Sequence, residues 1–304
     1  MTLGSVRSSR REAPDRILLV GTEGIGKSTF ASDAPSPIFI AAEDGIRELD
    51  VQTFPQPETF SDVIDAVETL TRDQHEHKTL VIDTIDWVEP LVWDELCKRH
   101  NWDTIESPGY GKGYTEAVGE WRRLLAALER LRAKRGMEII LLAHAQIKIF
   151  SNPAGDDYSR YECKLHRGTA SLLKEWTDTN LFAVHEEFVS KRSKKDVKGK
   201  GVSTGKRILH TERSSAWDAK NRRGLPPTIP LSYTDYAAAR AAGVPADPAK
   251  LEAEAFELLD ALEMSSDEKD KINEWVIKNR GNAVALAKGV NRLRAKLAAR
   301  EEAA

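Results

Sequence analysis

Cysteine is scarce in this 304-residue chain: Cys97 and Cys163 are the only two, and they have neither a CxxC nor a metal-ligand spacing. That excludes a disulfide-stapled scaffold and a thiolate metal site, and it fits reduced intracellular thiols. No apolar run approaches the length of a membrane span, and residues 1–14 are rich in Ser and Arg without the apolar stretch of a secretory leader. A cytoplasmic protein with no membrane partner is expected. Neither charge dominates, with 45 Lys and Arg against 48 Asp and Glu and a net charge of −3. The chain as a whole is therefore no polycation, and any contact with nucleic acid has to come from a local patch. Internal repeats are also missing. What remains is an ordinary composition, 40% hydrophobic and 31% charged, on a chain long enough for one full α/β core and a smaller appended unit.

Against that plain background stand Gly21, Thr22, Glu23, Gly24, Ile25, Gly26, Lys27 and Ser28, which spell G-x-x-x-x-G-K-[ST] directly after the apolar run 16–20. Glycines let the backbone turn tightly enough for several N–H groups to face one phosphate chain. In this motif Lys27 reaches the β- and γ-phosphates and Ser28 gives its hydroxyl to Mg²⁺, with Thr29 next on the following helix. ATP and Mg²⁺ are the expected cofactors. A glycine-rich turn before a helix is the plain alternative. No Asn-Lys-x-Asp segment of the guanine-reading kind is present, which argues against a GTPase.

Apolar runs recur at residues 17–20, 38–42, 79–82, 138–143 and 180–185, with helical patterns between most of them. The alternation predicts an α/β fold with a mainly parallel, doubly covered sheet. Residues 60–71 and 115–134 carry apolar positions at helical spacing and are expected to cover that sheet. Two β-like runs, 181–190 and 206–212, predict a hairpin with a long Lys/Gly/Ser-rich tip. Pro226, Pro227 and Pro230 end the core, and helices follow near 250–264, 267–279 and 282–300, with Ser265 or Ser266 as an N-cap signal. The division expected is a flexible tail at 1–14, a core at 15–232, a linker at 233–248 and a small helical region at 249–304.

Asp83 ends the run Thr79, Leu80, Val81, Ile82 and would hold Mg²⁺ through water; capping of the next segment is its alternative. Many ATPases place a catalytic glutamate directly after this aspartate, and here that residue is Thr84. The candidate base is instead Glu43, at the end of run 37–42, where a strand beside the phosphate loop would open onto the same crevice. A solvated strand-end glutamate is the competing reading. His144 and Gln146 lie just past the buried run 139–143, where Gln146 would sense a γ-phosphate unless it is only polar punctuation.

Residues 191–207 hold eight basic side chains, Lys191, Arg192, Lys194, Lys195, Lys198, Lys200, Lys206 and Arg207, against one acid, Asp196. DNA contact by this segment is weighed against a solvated hairpin tip. Lys98, Arg99, His100 and Lys112 are interleaved with Trp102, Tyr110 and Tyr114, a mixture suited to stacking single-stranded bases, although Trp102 and Tyr114 fit a core equally well. The segment 148–167, with Lys148, Arg160, Lys164 and Arg167, is expected to be a mobile loop. Lys220 and Arg222, one residue apart, would share a face of a strand.

In this order, the phosphate loop, Glu43, Asp83, Gln146 and a hairpin leading to Lys220 and Arg222 resemble the RecA recombinase core. They are similar in particular to the short phage-encoded RecA-like ATPases of phage recombination modules, over residues 16–231. The resemblance implies a bacterial-host or prophage origin, ATP hydrolysis, and annealing or strand exchange on single-stranded DNA by a homo-oligomeric ring or filament. It also implies that Glu43 is the general base and Gln146 the γ-phosphate switch. Lys220 and Arg222 would reach the nucleotide of a neighbouring subunit. The segments 101–112 and 148–167 would be the DNA-binding loops. The C-terminal helices would dock a single-strand-binding protein or cover an edge of the core. A protein-remodelling ATPase, or a nucleotide-binding DNA module without turnover, is the alternative function.

Overall fold

Along the first apolar run, alternate residues bury on opposite faces: Leu18 and Val20 join one hydrophobic cluster, Ile17 and Leu19 another. A strand with two buried faces belongs in the middle of a covered sheet, and that is the architecture of the computed structural model. It describes residues 13–153, 155–190, 200–243, 248–262, 264–280, 286, 289–290, 292–294 and 296–297. In chain order the elements are β1 (Arg16–Gly21), α1 (Lys27–Ser32), β2 (Pro37–Ala41), β3 (Gln52–Thr53), α2 (Phe60–Arg72), β4 (Thr79–Asp83), α3 (Ile85–His100) and α4 (Lys112–Arg135). Then follow β5 (Glu138–Phe150), β6 (Tyr158–Cys163), α5 (Arg167–Trp176), β7 (Thr179–Ser190), β8 (Lys200–His210), β9 (Lys220–Asn221), β10 (Thr228–Pro230), α6 (Tyr233–Gly243), α7 (Pro248–Ala261) and α8 (Ser266–Lys278).

The strands form one sheet in the order β10-β8-β7-β1-β5-β4-β2-β3, with β6 on β5 and β9 on β7. From β7 to β3 every neighbouring pair is parallel. The five expected apolar runs are β1, β2, β4, β5 and β7. One face carries α2, α3, α4 and α5, whose Val63, Val67, Val88, Trp121, Leu128 and Leu173 are all buried. The other carries α1 and α6, with Phe30, Tyr233 and Tyr236. Among the described residues, no helix is long and apolar enough to cross a membrane.

Two hairpins continue past the sheet's C-terminal edge, one on each side of β1. Gly21 at the end of β1 lies opposite His144 on β5 and Ala183 on β7. Beyond those points β5 runs on and pairs with β6, and β7 runs on and pairs with β8. The segment 148–167, expected as a mobile loop, instead holds the end of β5 and all of β6, paired as a hairpin across the turn between them, and reaches the start of α5.

The linker expected at 233–248 is also corrected. Tyr233 and Tyr236 pack edge-on against Phe30, Tyr233 donates to Glu138 Oε1 (2.8 Å) and Tyr236 to Asp15 Oδ2 (3.2 Å). Aromatic burial with both hydroxyls satisfied fixes this part of α6 to the core. The chain divides into two compact units at 239/240. In the second unit Leu251, Ala255, Leu259 and Val276 are buried together, and Ser265 caps α8 with Glu268 completing a capping box. Most of the helix expected at 282–300, and residues 1–12 of the expected tail, lie outside the described residues.

Candidate nucleotide site

The loop between β1 and α1 has the backbone that its glycines permit: φ is +68° at Gly24 and +105° at Gly26, a left-handed region costly for residues with a Cβ. Pro35 and Pro37 follow closely, and α1 is a six-residue helix. The Lys27 ammonium is buried and folds back along the loop, donating to the carbonyls of Thr22 (3.1 Å) and Gly21 (3.4 Å). Burial lowers its pKa from the usual lysine value, against the pull of Asp83 and Glu43. Thr29, on α1, is exposed.

Ser28 Oγ donates to Asp83 Oδ2 at 2.6 Å, joining the loop to the end of β4. Asp83 is buried, and its Oδ1 is without a protein partner. Burial pushes the Asp83 carboxyl up from the ordinary range, partly offset by the Ser28 hydrogen bond and Lys27. A hydroxyl and a buried carboxylate with one oxygen unused fit an oxygen-seeking Mg²⁺, which Ser28 and Asp83 would hold.

Glu43 meets this group from the end of β2, its backbone N–H donating to Asp83 O (3.4 Å). Its carboxylate Oε1 lies 3.8 Å from His144 Nε2, a separation that a water can bridge. Burial raises the Glu43 pKa and the His144 ring opposes that rise. On its other side the His144 ring meets Asp86 Oδ2 at 2.9 Å through Nδ1, and the His144 backbone N–H donates to Asp86 Oδ1 at 2.9 Å. Burial disfavours the Asp86 anion, but the bonds from His144 outweigh it and hold the carboxyl below the ordinary range. An ionised carboxylate only accepts, so Nδ1 carries the proton in this pair. The residues Asp86, His144 and Glu43 thus form a chain ending beside Ser28 and Asp83.

This corrects the expectation for Gln146. Two residues beyond His144 on the same strand, Gln146 Nε2 donates to Cys163 O (3.2 Å) on β6. The polar side chain of β5 that faces Glu43 is His144. Sequence reasoning noticed His144 without a role and missed Asp86; a second aspartate three residues after Asp83 was the available signal.

Lys220 is also reassigned. Its ammonium donates to the carbonyls of Lys174, Glu175 and Thr177 at the end of α5, where carbonyls have no helical partner and a cation is favoured. Its donors are spent inside the chain. Arg222 is exposed and, among the described residues, has no hydrogen-bond or ion-pair partner.

The expected DNA-contacting residues divide. Lys112, Lys148, Lys164 and Arg167 are exposed. Arg160 is not: its buried guanidinium pairs with Asp218 (2.5 Å), which also holds Lys174 (2.6 Å), so it is an interior residue. Arg99 is committed to Glu120 (2.5 Å) and Glu95 (2.8 Å), and half-buried Trp102 stacks on His100 (4.5 Å between ring centres) against the core. Tyr110 is fully exposed between two glycines of positive φ. Tyr114 stacks on His166 (4.3 Å), which joins the end of the 101–112 segment to the base of the β5–β6 hairpin. Lys191, Arg192, Lys194, Lys195 and Lys198 lie outside the described residues, and Lys200 falls in β8.

A family model described as an AAA domain matches residues 13–223 of this chain. No curated protein matches it.

Proposed function

The chain belongs to the AAA-domain family, whose phosphate-loop core carries nucleotide binding and ATPase activity, and from that premise we propose a Mg²⁺-dependent, RecA-like ATPase that binds single-stranded DNA as an oligomer and serves annealing or strand exchange. The observation that carries the proposal is the position of Glu43: its backbone N–H donates to the carbonyl of Asp83, which pairs with Ser28, and its carboxylate faces His144, as a general base for an attacking water would. Ser28 and Asp83 would hold Mg²⁺, which would supply positive charge to offset the charge developing on the phosphates. Lys27 exchanges its two neutral carbonyl partners for phosphate oxygens, a stronger charge-assisted pairing. Glu43 polarises the water and accepts its proton, with His144 orienting the carboxylate and Asp86 orienting His144.

Two features support DNA as the partner. The hairpins β5–β6 and β7–β8 rise from the same edge of the sheet as the phosphate loop, and they carry exposed Lys148 and the basic segment 191–207. Tyr110 offers a free ring for base stacking beside exposed Lys112. A route for coupling is also present: His144 O accepts from Lys164 N (2.8 Å), so a change at the His144 ring reaches the hairpin base through one hydrogen bond. Arg222 supplies the charge to a neighbour's site in this reading, and the C-terminal helices dock a partner protein.

The test is the ATPase rate with and without single-stranded DNA across a salt series. Stimulation by DNA, weakening linearly on a log–log salt plot, is expected. If DNA neither binds nor stimulates, the protein-remodelling alternative takes over.

A further inference from the structure

Arg207, on β8, does what no other cation of the hairpin does among the described residues: it touches the phosphate loop. Its Nη1 donates to Ile25 O at 3.2 Å. A Cβ built on Gly26 would fall 2.7 Å from the same Nη1, so the guanidinium lies against the bare backbone of the loop. The strand holds it there. Arg207 lies opposite His185 on β7, and its carbonyl accepts from Leu231 N (3.0 Å).

The pairing is electrostatically incomplete. A guanidinium has five N–H donors in a rigid fork, and its strong partners are carboxylates and phosphates. Among the described residues Arg207 has no carboxylate partner; its bond goes to a neutral carbonyl, and the side chain is exposed. The loop it touches already carries Lys27. Two cations on one glycine loop, each donating there only to neutral carbonyls among the described residues, call for an anion between them.

We propose that Arg207 is a second cationic ligand of the nucleotide's phosphate chain, supplied in cis by the β7–β8 hairpin, and that through it the hairpin and the nucleotide site act on each other. The inference rests on the phosphate loop binding nucleotide. It adds a residue outside the loop motif, on the strand that carries the end of the basic segment 191–207. Nucleotide binding then pins β8 to the loop, and DNA bound on the hairpin alters phosphate affinity by the same contact, because coupling between two ligands is reciprocal.

The test is calorimetric titration of the full chain with ADP and with inorganic pyrophosphate, on the wild type, R207A, R207K and K27A. Arg207→Ala should weaken both ligands by about ten- to a hundredfold, the scale of a lost charge-assisted hydrogen bond. R207K, which keeps charge and loses the fork, should fall between the wild type and R207A. Wild-type affinity for both ligands in R207A, with K27A impaired, overturns the proposal while leaving the nucleotide site intact. Weakened ADP with unchanged pyrophosphate also overturns it, because the contact would then be to base or ribose. If the wild type binds neither ligand, the reading of the loop itself fails. Should R207A not fold, R207K decides on the same two ligands, weakening supporting the proposal and unchanged binding overturning it.

Discussion

The His144 imidazole is held by Asp86, Nδ1 to Oδ2 at 2.9 Å, so that its opposite nitrogen points at the Glu43 carboxylate 3.8 Å away. The carboxylate beside a phosphate loop gains its orientation from a histidine on the neighbouring strand, and the histidine gains its tautomer from an aspartate at the start of α3. Asp86→Asn replaces an obligate acceptor with a mixed donor and acceptor and frees the ring to turn. We expect kcat to fall by about 10- to 100-fold, the cost of a misplaced catalytic group, with ATP affinity nearly unchanged. Steady-state kinetics beside equilibrium nucleotide binding check this, and equal losses in both would make Asp86 a merely structural residue.

Ser28 and Asp83 make one unit, since the hydroxyl orients the carboxylate oxygen that it touches. Ser28→Ala removes one of the two groups that would hold Mg²⁺ and the partner that orients Asp83, and should raise the Mg²⁺ concentration giving half-maximal ATPase rate by at least about 10- to 100-fold. A Mg²⁺ titration of turnover measures it, and an unchanged midpoint would remove Ser28 from the metal site.

Arg160 and Asp218 separate structural from DNA-contacting cations. Asp218→Ala strands a buried guanidinium, and the expected loss is about 3–5 kcal/mol of stability. Arg160→Ala should lower the urea midpoint while the salt slope of DNA binding stays as in the wild type. The pH dependence follows from the same contacts. Burial disfavours the anions of Asp218 and Asp178, yet Lys174 and Arg160 for the first, and Arg16 for the second, hold both carboxyls below the ordinary aspartate value. Their stabilisation is therefore complete above an unfolded-state pKa of about 3.9 and is lost as pH falls through the lower folded-state values. Urea midpoints between pH 2 and 6 should drop at the acid end, and less so in D178N.

Lys220 and Arg222 stand one residue apart with different expected phenotypes. Lys220→Ala uncaps α5 and should cost about 1–2 kcal/mol in unfolding free energy, with turnover per folded molecule preserved. Arg222→Ala should leave stability unchanged and reduce turnover only under conditions of assembly. Mixing R222A with K27A chains, so that an intact Arg222 faces an intact Lys27, should recover activity; no recovery at any ratio would contradict a contribution from a neighbour.

The parts legible in sequence were those fixed by local pattern. Continuous apolar runs announced β1, β2, β4, β5 and β7, and the glycine spacing announced the loop from Gly21 to Ser28. What stayed hidden depended on distant partners. Residues 233–243 follow a run of prolines and are rich in Ala, so they read as a linker until Phe30, Asp15 and Glu138 supply their contacts. Arg160 reads as a surface cation because Asp218 is 58 residues away. Gln146 and His144 differ by two positions on one strand, and only the β5–β6 pairing, which draws Gln146 to Cys163, tells which of them meets Glu43.

The most direct measurement is ATP binding and hydrolysis by Glu43→Gln in the full chain. The substitution keeps size and hydrogen-bonding reach and removes the base. ATP should bind with wild-type affinity and remain unhydrolysed, with turnover down by about 10²- to 10⁴-fold. Hydrolysis at the wild-type rate in that variant would contradict the account.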